Sequence, residues 1–145
     1  MKLADYLWPD ADHTFCAFVY GEDGVVRSNP SLAPDLAEKA NAMIKLVGLD
    51  KTPHTSKSSD RRWQAGIEVW SIAERAKERL QCNDNEDFRE QVVETAVGHA
   101  YWSIWMTVFA DDADMRNRLI RALPGTATDC FDEQGHPLPR DGGQL

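Results

Sequence analysis

The chain has 145 residues, 42% of them apolar and 28% charged, a balance typical of one soluble globular domain rather than of a disordered chain. Its 16 basic and 24 acidic residues give a formal charge of -8, which argues against direct binding of nucleic acid or an anionic membrane and is compatible with a basic protein partner, such as a nucleic-acid-binding protein. Three distant cysteines, no apolar run of bilayer length and no secretion signal predict reduced thiols, no membrane span and a cytoplasmic location.

A β-hairpin is the first predicted element. Apolar and β-branched residues lie on both sides of the turn-forming sequence GEDG at residues 21–24, which is the pattern of two strands joined by a short loop. The first of these strands, around Phe18, is apolar on both faces. Because an isolated two-stranded ribbon is only marginally stable in water, we expect helices to cover it.

Four helices are predicted after the hairpin. Apolar residues at helical spacing cover residues 34–47 and are followed by Gly48, a natural helix stop. The other three helices cover about residues 59–82, 86–109 and 115–123, with Ser59 as the predicted cap of the first of them. The predicted fold class is therefore mainly α (α+β), with an antiparallel helical hairpin, two flanking helices and an N-terminal β-hairpin. Residues 1–123 are predicted to form a single globular domain, and residues 124–145 an extended C-terminal tail rich in Gly and Pro.

The third predicted helix contains HAYWSIWMTVF, a stretch without any Asp, Glu, Lys or Arg. Its expected core face consists of Val93, Val97, Ala100, Ile104 and Val108. The opposite face, where charges are expected, instead carries small uncharged polar residues: Gln91, Thr95, His99, Ser103 and Thr107. Two interpretations follow, because the helix is either enclosed by its own domain or packed against a second copy or another protein.

Ten residues are candidates for binding a partner: Trp63, Ile67, Trp70, His99, Trp102, Ser103, Met106, Asp111, Asp112 and Asp114. Tryptophan and methionine are enriched at protein interfaces, and exposed carboxylates can attract a basic partner. Each group also has a structural interpretation. The tryptophan stripe of the second helix can hold the N-terminal hairpin, and the three aspartates can cap the N-terminus of the fourth helix.

A metal site is the alternative prediction. If the second and third helices are antiparallel, Glu78 lies level with Glu90 and Glu74 lies level with Glu94. Four carboxylates on facing helices can hold Mg²⁺ or Mn²⁺, because these hard cations prefer oxygen ligands, and such an ion can support hydrolysis of a phosphate ester. The basic residues around Glu78 on the second helix can instead neutralise the carboxylates as ordinary surface ion pairs.

The sequence predicts a non-enzymatic function. No nucleophile motif, phosphate-binding loop or metal-like histidine spacing is present, so no catalytic residue and no cofactor are predicted. His99 is expected to form a hydrogen bond with Ser103 inside the third helix. The leading hypothesis is a small acidic accessory or inhibitor-type protein of the kind that phages encode, which binds a protein partner and can also form a homodimer. The alternative is a small metal-dependent all-α phosphohydrolase.

Overall fold

The computed structural model describes residues 2–52 and 61–145, and this part of the chain is mainly helical with one two-stranded sheet, as the sequence predicts. The strands are β1 (Phe18–Tyr20) and β2 (Val26–Ser28). The α-helices are α1 (Pro34–Val47), α2 (Arg62–Cys82), α3 (Glu86–His99), α4 (Trp102–Val108) and α5 (Ala113–Ala122). Short 3-10 helices cover Leu3–Asp5, Thr14–Ala17 and Thr128–Cys130.

The β-hairpin is antiparallel; its strands pack against α1 and α4, and its turn lies against the start of α2. Phe18 pairs with Ser28, and the turn contains Gly24 at a φ of 71°. A Cβ atom at Gly24 would lie 2.1 Å from the backbone oxygen of Trp63, so only glycine allows this approach. Gly66 lies directly opposite Gly24. The predicted cover of the hairpin by a helix is therefore present, and its contact with α2 depends on two small residues.

Three helix ends follow the sequence signals. Gly48 adopts a φ of 70° after α1, and its backbone N–H bonds to the last turn. The side chain of Asn85 accepts a hydrogen bond from the backbone of Phe88 at 2.9 Å and caps α3. Asp112 caps α5 through the backbone N–H of Met115, also at 2.9 Å. The predicted cap Ser59 lies outside the described residues.

The prediction of one continuous helix over residues 86–109 is wrong. α3 ends at His99, and the next two residues, Ala100 and Tyr101, have φ values of 60° and 57° before α4 begins. The indole Nε1–H of Trp105 donates a hydrogen bond to the backbone oxygen of Ala100 at 3.0 Å and fixes this turn. The break changes the direction of the chain, so that the large side chains of α4 can enter the interior.

The buried face of this region also differs from the predicted one. On α3, Val92 and Ala96 are buried, whereas Val97 is exposed, and Ala100 lies at the exposed break. On α4, Ile104 and Val108 are buried as predicted, but Trp105 and Met106 are buried with them. The single predicted helix is in fact two helices with different axes. A helical period continued through residues 93–108 therefore assigns the wrong buried face to α3.

The main core lies between α2, α3, α4 and α5. Its largest fully buried side chains are Trp105, Phe109, Met106, Met115 and Leu119. A smaller apolar cluster of Leu7, Ala17 and Ala40 joins α1 to the N-terminal residues. Throughout the described chain, every helix is too short or too polar to span a lipid bilayer.

The C-terminal segment, residues 124–145, packs on the N-terminal residues. Phe131 forms an isolated bridge with Pro137 and packs against the main core. Farther along, Arg140 donates to the backbone oxygen of Pro9, and the backbone N–H of His13 donates to the backbone oxygen of Leu145 at 3.1 Å. The division of the chain at residue 123 stays a prediction.

Candidate functional site

The ten residues predicted to bind a partner occupy three environments. Met106 is buried in the core. His99, Asp111 and Asp114 are exposed. The other six are half-buried: Trp63, Ile67, Trp70, Trp102, Ser103 and Asp112. They therefore do not form one exposed surface, and Trp70 packs against the main core.

The aspartates before and at the start of α5 are engaged in ion pairs within the chain. Arg89 donates to Asp84 at 2.6 Å, to Asp112 at 3.0 Å and to Asp114 at 3.1 Å. Hydrogen bonding from Arg89 holds the pKa of Asp84 below its usual range, and the same contacts raise the pKa of Arg89. This cluster ties the α2–α3 loop to the start of α5.

Two further cations extend this network. Arg118 makes a two-pronged contact with Glu86 at 2.6 and 2.8 Å and also bonds to Asp114 at 2.7 Å. Lys77 of α2 bonds to Asp111 at 2.6 Å, and this hydrogen bond lowers the pKa of that carboxyl. The aspartates predicted to contact a basic partner are thus already paired with arginine and lysine side chains of the same chain, so they have a structural role within the fold.

The four glutamates predicted to hold a metal do not meet as a group. Glu74, Glu78, Glu90 and Glu94 are all exposed. Within residues 2–52 and 61–145, no set of three or more His, Cys, Asp or Glu side chains is arranged to hold a metal ion. Glu90 and Glu94 lie beside Arg118 and Arg121 of α5 instead of facing α2. The geometry therefore gives the phosphohydrolase hypothesis and its Mg²⁺ or Mn²⁺ no support.

The uncharged polar face of α3 and α4 bonds largely to its own backbone. The hydroxyls of Thr95 and Thr107 donate to the backbone oxygens of Gln91 and Ser103, at 2.8 and 2.7 Å. The imidazole Nδ1 of His99 lies 2.9 Å from the backbone oxygen of Thr95, so the contact of this ring is with α3 and not with Ser103. A helix can carry such residues without external partners, because each hydroxyl satisfies itself one turn back.

Residues 97–101 form an exposed uncharged turn, named here the α3–α4 turn. All five residues are exposed, and Val97 and Tyr101 each keep 40% of their surface accessible. Gly98 meets nothing within 4 Å of the position of a Cβ atom. This turn is where the charge-free stretch reaches the surface, and it includes both non-glycine residues of the described chain with positive φ.

A cavity of about 270 Å³ lies between the β-hairpin, α2 and this turn, with Tyr101, Ile104 and Trp63 among its lining residues. It also borders Lys51 and Arg62, which flank residues 53–60. Because that stretch lies outside the described residues, the cavity is not assigned a ligand.

A second, open cavity of about 330 Å³ lies between the N-terminal residues, the start of α4 and the C-terminal segment. Its apolar wall is aromatic. The ring of Trp102 makes edge contacts with Phe15 and Phe131, at centroid distances of 5.0 and 5.7 Å. The ring of His13 packs edge-on against Phe131 at 5.2 Å. We call this cavity the His13 cavity. The sequence analysis selected Trp102 as a site residue but not His13, Phe15 or Phe131.

Polar groups complete the wall of the His13 cavity. Arg140, Asp12, Ser103 and Thr126 line it together with the aromatic rings. Burial raises the pKa of Tyr20, whose hydroxyl forms a hydrogen bond with Ser103. A cavity that combines aromatic rings with placed polar groups is a common form of small-ligand site.

The three cysteines are free thiols, and burial raises the pKa of Cys16, which makes its thiol a weaker nucleophile at neutral pH. The α3–α4 turn and the His13 cavity both present aromatic rings and hydrogen-bonding atoms. Comparison of the chain with protein-family models, with curated proteins and with solved structures finds no match.

Proposed function

We propose that the chain is a non-enzymatic, acidic cytoplasmic accessory or inhibitor-type protein that binds a basic protein partner through the α3–α4 turn. The observation that carries this proposal is the turn itself: five consecutive exposed residues without Asp, Glu, Lys or Arg, on a chain of formal charge -8. Tyrosine is enriched at interfaces, and Tyr101, the last residue of this turn, is 40% exposed.

The backbone of the turn supports a binding role. Ala100 and Tyr101 both have positive φ, a conformation that costs non-glycine residues about 1–3 kcal/mol each and occurs preferentially at functional sites. The buried Trp105 holds the turn through its hydrogen bond to Ala100. A partner therefore meets a preorganised loop, and association does not have to pay for ordering it.

The charge distribution supports a basic partner. Arg89, Arg118 and Lys77 are engaged in ion pairs within the chain. Arg116 is buried and donates to the backbone oxygen of Gln134 at 3.0 Å. The ion pairs also engage carboxylates, but with 24 acidic and 16 basic residues the chain as a whole keeps an excess of negative charge, which attracts a positively charged protein and accelerates its encounter with the uncharged turn.

Site-specific photocrosslinking tests this proposal. Benzoylphenylalanine is placed at position 101, and a matched control carries it at position 138, because Leu138 has a similar exposed fraction of 42%. Each protein is irradiated in extract of the native host. We expect one discrete adduct with a basic protein from position 101 and none from position 138. Excess unlabelled wild-type chain should remove the adduct, whereas excess Tyr101→Gly should not.

Three results contradict the proposal. The first is the absence of an adduct specific to position 101, and the second is equal competition by the wild type and by Tyr101→Gly. The third is an adduct of twice the mass of the chain, which identifies a second copy, and hence a homodimer, in place of the basic partner. Because glycine relieves a positive φ, Tyr101→Gly should remain folded, so lost competition reports the missing ring.

A further inference from the structure

The His13 cavity contains two buried polar atoms that lack hydrogen bonds. His13 is only 9% exposed, and its Nε2 atom is buried with no hydrogen-bond partner in the described part of the chain. The same is true of the indole Nε1 of Trp102. Buried polar atoms are nearly always paired in folded proteins; of the four unpaired side-chain atoms among the described residues, two belong to residues that line this one open cavity, which points to a missing ligand.

The two atoms have opposite roles. Burial is the main cause that lowers the pKa of His13, and the charge of Arg140 lowers it further. The backbone of Cys130 opposes both, as a carbonyl oxygen facing a ring N–H does; because Nε2 has no partner, we assign this N–H to Nδ1. A neutral ring protonated on Nδ1 leaves Nε2 as an acceptor, whereas the indole of Trp102 can only donate.

The charges around the cavity favour a neutral ligand. Arg140 lines the cavity and donates one N–H to the backbone oxygen of Pro9, which leaves the other guanidinium N–H groups to act as donors. Asp12 is buried in the same wall, and its two carboxylate oxygens accept backbone N–H groups of Trp8 and Gln144, at 2.8 and 2.7 Å. The negative charge of Asp12 offsets the positive charge of Arg140, so an anionic ligand gains little binding energy here.

We propose that the His13 cavity binds a small, free, planar lactam heterocycle of the nucleobase class. A lactam edge carries an N–H beside a C=O, which matches an acceptor at His13 and a donor at Trp102. A second ring carbonyl can accept from Arg140. Trp102, Phe15 and Phe131 line the cavity, and flat heterocycles stack readily on such aromatic side chains. The volume of about 330 Å³ lies within the range of small-ligand sites.

Nuclear magnetic resonance of the indole N–H groups tests this site with uracil as the probe. The chain has five tryptophans, and Trp102→Phe and Trp63→Phe assign the two signals that matter. Trp63 is the matched control, since its Nε1 is also buried without a hydrogen bond but lines the other cavity. We expect uracil to shift the signal of Trp102 saturably, at millimolar concentration, and to leave that of Trp63 in place.

The donor requirement is tested with 1,3-dimethyluracil, which has the same ring and carbonyls but no N–H. It should bind about tenfold or more weakly, because His13 then stays unpaired. His13→Phe keeps the edge contact with Phe131 and removes the acceptor, so it should abolish the preference for uracil. If the indole signals of the other tryptophans keep their positions, His13→Phe is folded. If this variant does not fold, the comparison of uracil with dimethyluracil on the wild type tests the proposal.

Several results overturn the proposal. The first is a Trp102 signal that does not respond to uracil, and the second is an equal response of the Trp102 and Trp63 signals. The third is dimethyluracil that binds as tightly as uracil. If folded His13→Phe still prefers uracil to dimethyluracil, a group other than His13 accepts the uracil N–H, and this result also contradicts the proposal. Tighter binding of single-stranded oligouridylate than of uracil contradicts a free small-molecule ligand. None of these measurements involves the α3–α4 turn, so they are independent of the proposed protein partner.

Discussion

Replacing Ala100 with glycine tests the break between α3 and α4. Ala100 has a φ of 60° and a ψ of -143°, which glycine adopts readily and which costs other residues about 1–3 kcal/mol. Glycine also makes the unfolded chain more flexible, which offsets about 0.5–1 kcal/mol of that gain. The methyl group of Ala100 is exposed, so its loss removes little packing. We expect Ala100→Gly to raise the free energy of unfolding by about 0.5–2 kcal/mol.

Differential scanning calorimetry measures this gain. For a chain of 145 residues the entropy of unfolding is about 0.3 kcal/mol/K near 60 °C, so Tm should rise by about 2–7 °C. Ala42→Gly is the matched control, because Ala42 lies inside the regular helix α1, where glycine costs about 1 kcal/mol and lowers Tm by about 3 °C. If Ala100→Gly lowered Tm as Ala42→Gly does, residue 100 would have helical backbone and the argument for a strained turn would fail.

Three further substitutions have defined expected outcomes. Arg89→Lys should lower the free energy of unfolding by about 1–2 kcal/mol in urea titrations, because an ammonium group cannot replace a guanidinium bound to several carboxylates. His13→Phe should flatten the pH dependence of stability below the ordinary histidine pKa of 6.5. In the wild type the lowered pKa of buried His13 means that the unfolded chain binds a proton which the folded chain does not, so stability falls as pH falls through this window. Trp105→Phe should cost about 1–3 kcal/mol in thermal melts, because the backbone oxygen of Ala100 loses its donor.

Each of these substitutions has a control on the same chain. Arg121→Lys changes an exposed arginine of α5 and should alter stability by less than about 0.5 kcal/mol; an equal loss would show that the Arg89 contacts are unimportant. His99→Gln removes an exposed histidine and should leave the acid limb of the stability profile as steep as in the wild type. Trp63→Phe removes an indole N–H that has no partner in the described chain, so a loss as large as that of Trp105→Phe would refute the role of the hydrogen bond.

The sequence predicted those elements whose signals are local. Gly48 ends α1, Asp112 caps α5, and Gly24 forms the turn of the hairpin, because each depends on the backbone of a few adjacent residues. The break after His99 has only a weak local signal, Gly98, because the residues around it include no proline and continue a helical pattern. It is determined by burial of Trp105 and its neighbours on α4, a tertiary effect that outweighs local preference.

The candidate sites were predictable only in part. Trp102 and Ser103 were selected because they lie in an uncharged helical stretch, and both line the His13 cavity. His13 lies far in sequence from Phe131 and Arg140, so no spacing rule within one segment can bring the three together. The ion pairs of Arg89 were missed for the same reason, since its partners lie on different elements.

Helix α4 has only seven residues, of which four are buried. A helix of two turns does not persist alone in water, because its first hydrogen bonds do not offset the entropy lost in nucleation. Its amide hydrogens can therefore be shielded only while α2 and α5 enclose Trp105 and Met106. Local fraying cannot release them one by one, so exchange with solvent deuterium at these amides should follow global unfolding of the chain.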